Sequence, residues 1–257
     1  MKTVEEIVAL SMDGGGEVAI VPFLPYILQD FHELGSSARA ILEAARRHAP
    51  AGKGLDVLDV GCGKGAISIL LAAELGCRCL GLDAIHEFTV AARARAEREG
   101  VADSCAFASG DARAIIPHLG SFDVIVLGST GPILGGYFGT MTALKPHLRP
   151  DGIIILDDGY LDDGSPSDHE LIVNRSTLLG EISRAGMALS AEMPAAPPDR
   201  DAEYDGQLAD ITRRCAELEA AHPDRTALFR AYAERQRQEY RNLKTDVICV
   251  TLIIRHA

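Results

Sequence analysis

The stretch Val57-Leu58-Asp59-Val60-Gly61-Cys62-Gly63-Lys64-Gly65 constrains this chain more than any other. Its first half reads as a buried strand carrying one acid. Three alternating glycines follow, where a chain can take positive φ and let its backbone approach a ligand closely. Ala66-Ile67-Ser68-Ile69-Leu70-Leu71 continues with apolar residues at 67, 70, 71 and 75, a helical spacing. Strand, glycine turn and helix in that order suit a nucleotide-type cofactor lying against the helix N-terminus. Strands and helices then alternate to about Leu156, which predicts a parallel sheet covered on both faces.

Several chemistries fit the turn alone. Gly61, Gly63 and Ala66 satisfy the G-x-G-x-x-G/A pattern of dinucleotide enzymes. A P-loop fits poorly, because Lys64 lies inside the glycine cluster and no Ser or Thr follows it. A strand-to-helix turn without any ligand also stays open. Downstream segments narrow the choice. Cys79-Leu80-Gly81-Leu82-Asp83 reads as a second strand ending in an acid about twenty residues after the glycines, where a carboxylate can meet ribose hydroxyls. A third strand ends at Gly110-Asp111-Ala112, a fourth spans Phe122 to Leu127, and a fifth follows Leu144 to Gly152 and ends at Leu156.

With Asp59-x-Gly61-x-Gly63-x-Gly65 at their head, these ordered segments resemble class I S-adenosylmethionine (SAM) methyltransferases over about residues 36 to 193. The family's L-x-P-G-G is replaced here by Leu148-Arg149-Pro150-Asp151-Gly152. The resemblance implies an α/β fold: a doubly wound, mostly parallel seven-stranded sheet whose antiparallel last strand is the β-branched run Val247 to Ile254. It implies S-adenosyl-L-methionine as cofactor and S-adenosyl-L-homocysteine as product. Asp59 would lie beside the cofactor's amino-acid end, with Gly61, Cys62 and Gly63 beneath it. Asp83 and Ala84 would meet the ribose, Asp111 and Ala112 the adenine, and Gly128 would complete the cofactor set.

Displacement at a sulfonium methyl carbon depends on alignment and exclusion of water. An oxygen or carbon acid would also need a general base. Asp157 and Asp158, after the fifth strand, are the candidate catalytic residues, and Ser129, Thr130, Tyr160 and Tyr26 the candidate substrate contacts. A helix cap, a solvated turn or a core ring is the structural alternative for each. The fourth strand ends in Gly128-Ser129-Thr130-Gly131-Pro132 and not in Asn/Asp-Pro-Pro-Tyr, which disfavours methylation of adenine or glutamine amides. An acid after only one of these two strands gives no reason to assign a metal. A small-molecule acceptor remains.

The 257 residues suit a single domain, with an N-terminal helical cap (1–50), a cofactor-binding core (51–193 and 246–257) and a helical insertion (194–245). Topology places that insertion at the cofactor edge as a lid, with a homodimer contact as its rival. A formal charge of −12 argues against nucleic acid as partner. No apolar run approaches the roughly 18 residues of a membrane helix, and acids, not a basic-apolar leader, occupy the first twenty residues, so the expected location is cytoplasmic. Six cysteines without a C-x-x-C pair suggest small core hydrophobes; Cys62, near a helix N-terminus, is the one thiol placed where its pKa could fall. An NAD-dependent oxidoreductase and a non-catalytic SAM-binding regulator are the alternatives.

Locally, Thr3 to Glu6 reads as a capping box opening a helix to Leu10, and the apolar Val18 to Leu28 segment as the start of a helix ending near Gly35. Ser37 to His48 reads as a helix. Ser167 to Glu170 is a second capping box, opening a helix with apolar residues at 171, 172, 178, 179 and 182. Beyond a proline elbow at Pro194 to Pro198, two amphipathic helices divide at His222-Pro223.

Overall fold

The computed structural model describes residues 2–52, 54–165, 171–194 and 200–257. Its first helices are α1 (Val4–Ser11), α2 (Leu24–Ile27) and α3 (Ala38–His48). Strands and helices then alternate: β1 (Asp56–Val60), α4 (Ala66–Leu75), β2 (Arg78–Asp83), α5 (His86–Arg98), β3 (Cys105–Ser109), α6 (Ala112–Ile115), β4 (Phe122–Gly128), α7 (Tyr137–Leu144) and β5 (Leu148–Leu161). The chain closes with α8 (Arg175–Arg184), β6 (Met187–Pro194), α9 (Arg200–Ala221), α10 (Thr226–Thr245) and β7 (Val247–His256). These elements fall into two compact units, residues 1–31 with 196–247 and residues 32–195 with 248–257. Helix α3, grouped with the N-terminal cap in the sequence reading, belongs to the sheet-bearing unit.

The sheet has the order β3-β2-β1-β4-β5-β7-β6. Strands β1 to β5 pair in parallel, and β7 runs antiparallel to β6. Strand order reverses between β1 and β4, and the carboxyl ends of strands at such a switch point border the crevice where ligands bind in doubly wound sheets. One face carries Val57, Val124, Val126, Ile153 and Ile155 against α3 and α4. The opposite face carries Leu58, Ile125, Ile154 and Leu156 against α7 and α8. Apolar residues on both faces of each central strand explain the continuous, non-alternating hydrophobic runs of the sequence. At the amino ends of β1 and β4, Arg149 pairs with Asp56 and Asp123, joining three strands by charge.

Strand β5 is longer than expected. The register shifts at its start, from Phe122 opposite Leu148 to Val124 opposite Ile153, so Pro150 sits where a ladder hydrogen bond is already interrupted. At its end the strand does not stop at Leu156 but continues to Leu161, which bridges Asn174. Asp157, Asp158 and Tyr160 are therefore strand residues, and the turn expected there lies beyond them. The capping box at Ser167 to Glu170 falls outside the described residues. Helix α8 opens at Arg175 after Asn174, so Leu171 and Ile172 precede it.

In the other unit, Thr3 and Glu6 make the reciprocal bonds of a capping box. The helix expected from Val18 to near Gly35 is cut short: a 3-10 turn spans Val18–Phe23, and α2 ends at Ile27. Pro22 and Pro25 remove backbone donors there. Helices α9 and α10 divide at His222-Pro223 as expected and bury Ile211, Cys215 and Leu218 with Phe229 and Tyr232. Phe23 meets Phe229 edge-on at 4.9 Å between centroids. Arg214 holds both Asp30 and Glu217. Among the described residues, no helix is long and apolar enough to cross a membrane.

Candidate active site

Strand β1 delivers Asp59 to the switch point with 1% of its surface exposed. Its Oδ2 accepts a 2.6 Å hydrogen bond from Ser68 Oγ, whereas the buried Oδ1 has no partner among the described residues. Burial pushes the carboxyl pKa up to about 6, against the opposing effect of the Ser68 bond.

The glycine turn follows immediately. Gly61, Gly63 and Gly65 all have positive φ, at 72°, 52° and 76°. A Cβ on Gly61 would come within 2.6 Å of Thr130 Cγ2, and one on Gly65 within 2.9 Å of Ala92 and Phe107. Glycine is required here for conformation and for space together. Asp83, at the end of β2, clamps this turn: one carboxylate oxygen accepts Gly63 N–H and the other Ile85 N–H, both at 2.8 Å. Burial raises its pKa to about 6 as well, with the two backbone bonds working the other way. Ala84 follows, partly exposed. Cys62 is buried, and burial with the nearby acids raises its thiol pKa well above the ordinary range, opposite to the lowering its place near a helix N-terminus suggested.

Asp111 is the N-cap of α6 and accepts Arg113 N–H at 2.9 Å. The Arg113 guanidinium also engages both carboxylate oxygens and holds the pKa below the usual carboxylate range. Ala112 opens α6 and packs against the core. Gly128 ends β4 with no room for a side chain, since a Cβ would lie 2.9 Å from Ile67 and from Ser36.

Ser129 has φ 48°, a left-handed conformation uncommon for any residue but glycine, and is exposed. Its N–H donates to the Asp157 carbonyl at 2.8 Å, and its hydroxyl lies 2.9 Å from that of buried Ser36. Thr251 of β7 donates to Asp157 Oδ1 at 2.6 Å. Ser129, Thr130 and Asp157 thus converge with the glycine turn at the carboxyl ends of β1 and β4, where Asp157 of β5 lies opposite Gly128.

Asp158 and Tyr160 do not join them. Alternation along β5 turns them to the other face, where Tyr137 donates to Asp158 and the Tyr160 hydroxyl donates to Glu192, itself paired with Arg175. Tyr26 belongs to the other unit, where its hydroxyl donates to Glu217 at 2.7 Å. Among the described residues, no group of three or more His, Cys, Asp or Glu could hold a metal ion.

Sequence reasoning missed Ser36, Ser68 and Thr251, the three hydroxyls that hold Ser129, Asp59 and Asp157. Only Thr251 left a signal, as the single hydroxyl within the apolar run Val247 to Ile254.

Residues 57–152 match the model of a methyltransferase-domain family. An uncharacterized Escherichia coli protein, YjhP, is 31% identical over 107 residues, which is 42% of this chain and 43% of that protein. A probable cobalt-precorrin-6B C(15)-methyltransferase (decarboxylating) from Methanothermobacter thermautotrophicus is 29% identical over 108 residues, 42% of this chain and 54% of that one. The chain thus spans about half the length of the curated relatives it matches. A SAM-dependent methyltransferase from Geobacter sulfurreducens, solved with S-adenosyl-L-homocysteine, superposes with a TM-score of 0.74 at 23% identity, over 92% of this chain and 98% of that one. The sheet that carries the matched residues 57–152 has the class I, SAM-dependent methyltransferase fold.

Proposed function

We propose that this protein is a SAM-dependent methyltransferase that transfers the methyl group to a small-molecule acceptor. The observation that carries the reading is the unpartnered Oδ1 of buried Asp59 beside a glycine turn too tight for side chains. A buried acceptor lacking a donor calls for one, and the ammonium of the cofactor's amino-acid end supplies it with matching charge. The residues present fit the cofactor: Asp59 would hold the ammonium, the turn Gly61–Gly63 would pass beneath the amino-acid portion, and Asp83 with Ala84 would face the ribose. Asp83 has a second task, since its carboxylate already fixes the turn. Asp111 would reach the adenine only by sharing its oxygens with Arg113.

When bound, the cofactor supplies an activated methyl carbon. The chain's own part is to orient the acceptor and accept its proton. Asp157, oriented by Thr251 and beside Ser129, is the proposed base. Asp158 and Tyr160, turned to the opposite face, are not assigned to chemistry. A lid or dimer role for the insertion, and Tyr26 as substrate contact, remain proposals that Tyr26→Phe, tested for acceptor KM, addresses.

Calorimetric titration with SAM, S-adenosyl-L-homocysteine and NADH tests the reading, with Asp83→Asn alongside. Micromolar binding of the two adenosyl ligands, at least tenfold weaker in the variant, supports it. Binding of NADH alone overturns it in favour of an oxidoreductase.

A further inference from the structure

Two of the free thiols face each other across the sheet edge, away from the carboxyl ends of the strands. Cys79 and Cys105 are in-register partners on β2 and β3, and β3 is the outermost strand. Neighbouring strands lie about 4.8 Å apart, inside the Cα window of about 4.4–6.8 Å for a disulfide. Both side chains pack on the cluster beneath α3 and α4, so they leave the sheet on the same face. The Cys105 thiol donates to the Ser68 carbonyl oxygen at 3.7 Å. The neighbouring Cys79 thiol holds the Cys105 pKa below the ordinary thiol range. Cys79 is buried, whereas Cys105 is partly exposed. One sulfur is therefore the better nucleophile and the more accessible, with a second thiol against it.

We propose that Cys79 and Cys105 form a reversible disulfide when the protein meets hydrogen peroxide, which makes the β2–β3 edge a redox-modification site. The Cys105 thiolate attacks the peroxide oxygen, the O–O bond breaks, and Cys105 becomes a sulfenic acid with release of hydroxide. The Cys79 sulfur then attacks the sulfenic sulfur; its proton leaves with the displaced hydroxyl as water, and the S–S bond forms. Two thiols are oxidised and one peroxide is reduced to two waters. In-register partners on neighbouring parallel strands share the strand spacing of about 4.8 Å, beyond the mean Cβ separation of about 3.8 Å for disulfides. The bond is consequently strained and readily reduced, the property of regulatory rather than structural disulfides.

Peptide mapping of the folded protein after mild hydrogen peroxide and alkylation tests this. Trypsin cuts after Arg78 and so separates Cys77 from Cys79. We expect a cross-linked pair of peptides carrying Cys79 and Cys105, lost on adding dithiothreitol, with the thiol titre falling by two from six. Cys105→Ala should abolish the pair and Cys215→Ala should leave it unchanged. Oxidation of Cys105 to sulfinic acid without a cross-link, or a link from Cys105 to Cys77, overturns the proposal. The wild-type map decides the matter even where a cysteine variant fails to fold.

Discussion

Asp59 is a carboxylate kept inside the protein with one oxygen bonded to Ser68 and the other to nothing described. Its pKa of about 6 lies above the ordinary 3.8, so the folded state binds the proton more tightly than the unfolded one. The stabilising effect of that proton is complete below pH 3.8 and is lost as pH rises through about 6. A shift of this size corresponds to at most about 3 kcal/mol. Asp83 adds less, because it is partly exposed and solvent screens it. We expect the melting temperature to rise between pH 7.5 and 5.5 in the wild type and to rise less in Asp59→Asn, where only Asp83 still contributes; equal slopes would exclude Asp59 as the source. Ammonium binding requires the ionised carboxylate, so SAM affinity should fall as pH drops below about 6 in calorimetry, again only when Asp59 is present. At Gly61, a Cβ would meet Thr130 Cγ2 while the backbone holds φ at 72°. Gly61→Ala should cost about 2–4 kcal/mol in urea unfolding, combining left-handed strain and overpacking. Adding Thr130→Ser, which removes that methyl, should recover the packing part and leave the strain.

At the scale of elements, Arg149 ties the start of β5 to β1 and β4 through Asp56 and Asp123. Arg149→Met leaves two neighbouring acids without their shared cation. The arginine is 40% exposed, so the expected loss in denaturant unfolding is about 1–2 kcal/mol, below the 3–5 typical of fully buried pairs. High salt should shrink it. The order of strands and helices was legible in the sequence because each central strand is apolar on both faces and each turn is marked by glycine or proline. Strand β5 was not, because Asp157-Asp158-Gly159 has turn chemistry and the pairing that keeps it extended comes from residues far along the chain. The site divides in the same way. Asp59, the glycines and Asp83 lie within one local pattern, while Ser36 and Thr251 meet their partners from 93 and 94 positions away, a separation no local pattern encodes.

Over the whole molecule, a ligand that binds only the folded state stabilises it by mass action, by about 2.7 kcal/mol at a hundredfold excess over Kd. S-adenosyl-L-homocysteine should therefore raise the melting temperature by several degrees while NADH does not; a shift with NADH alone would remove the basis for the methyltransferase assignment. The pairing of residues 1–31 with 196–247 in one compact unit bears on how the chain is made. Residues 1–31 leave the ribosome before the helices that complete their unit, which follow only after residues 32–195. At about 5–20 residues per second, that interval is roughly ten to thirty seconds. During it, the apolar Val18 to Leu28 segment packs on α1 but lacks the α9 and α10 surfaces that complete its burial, so the order of synthesis leaves this stretch open to a nascent-chain chaperone.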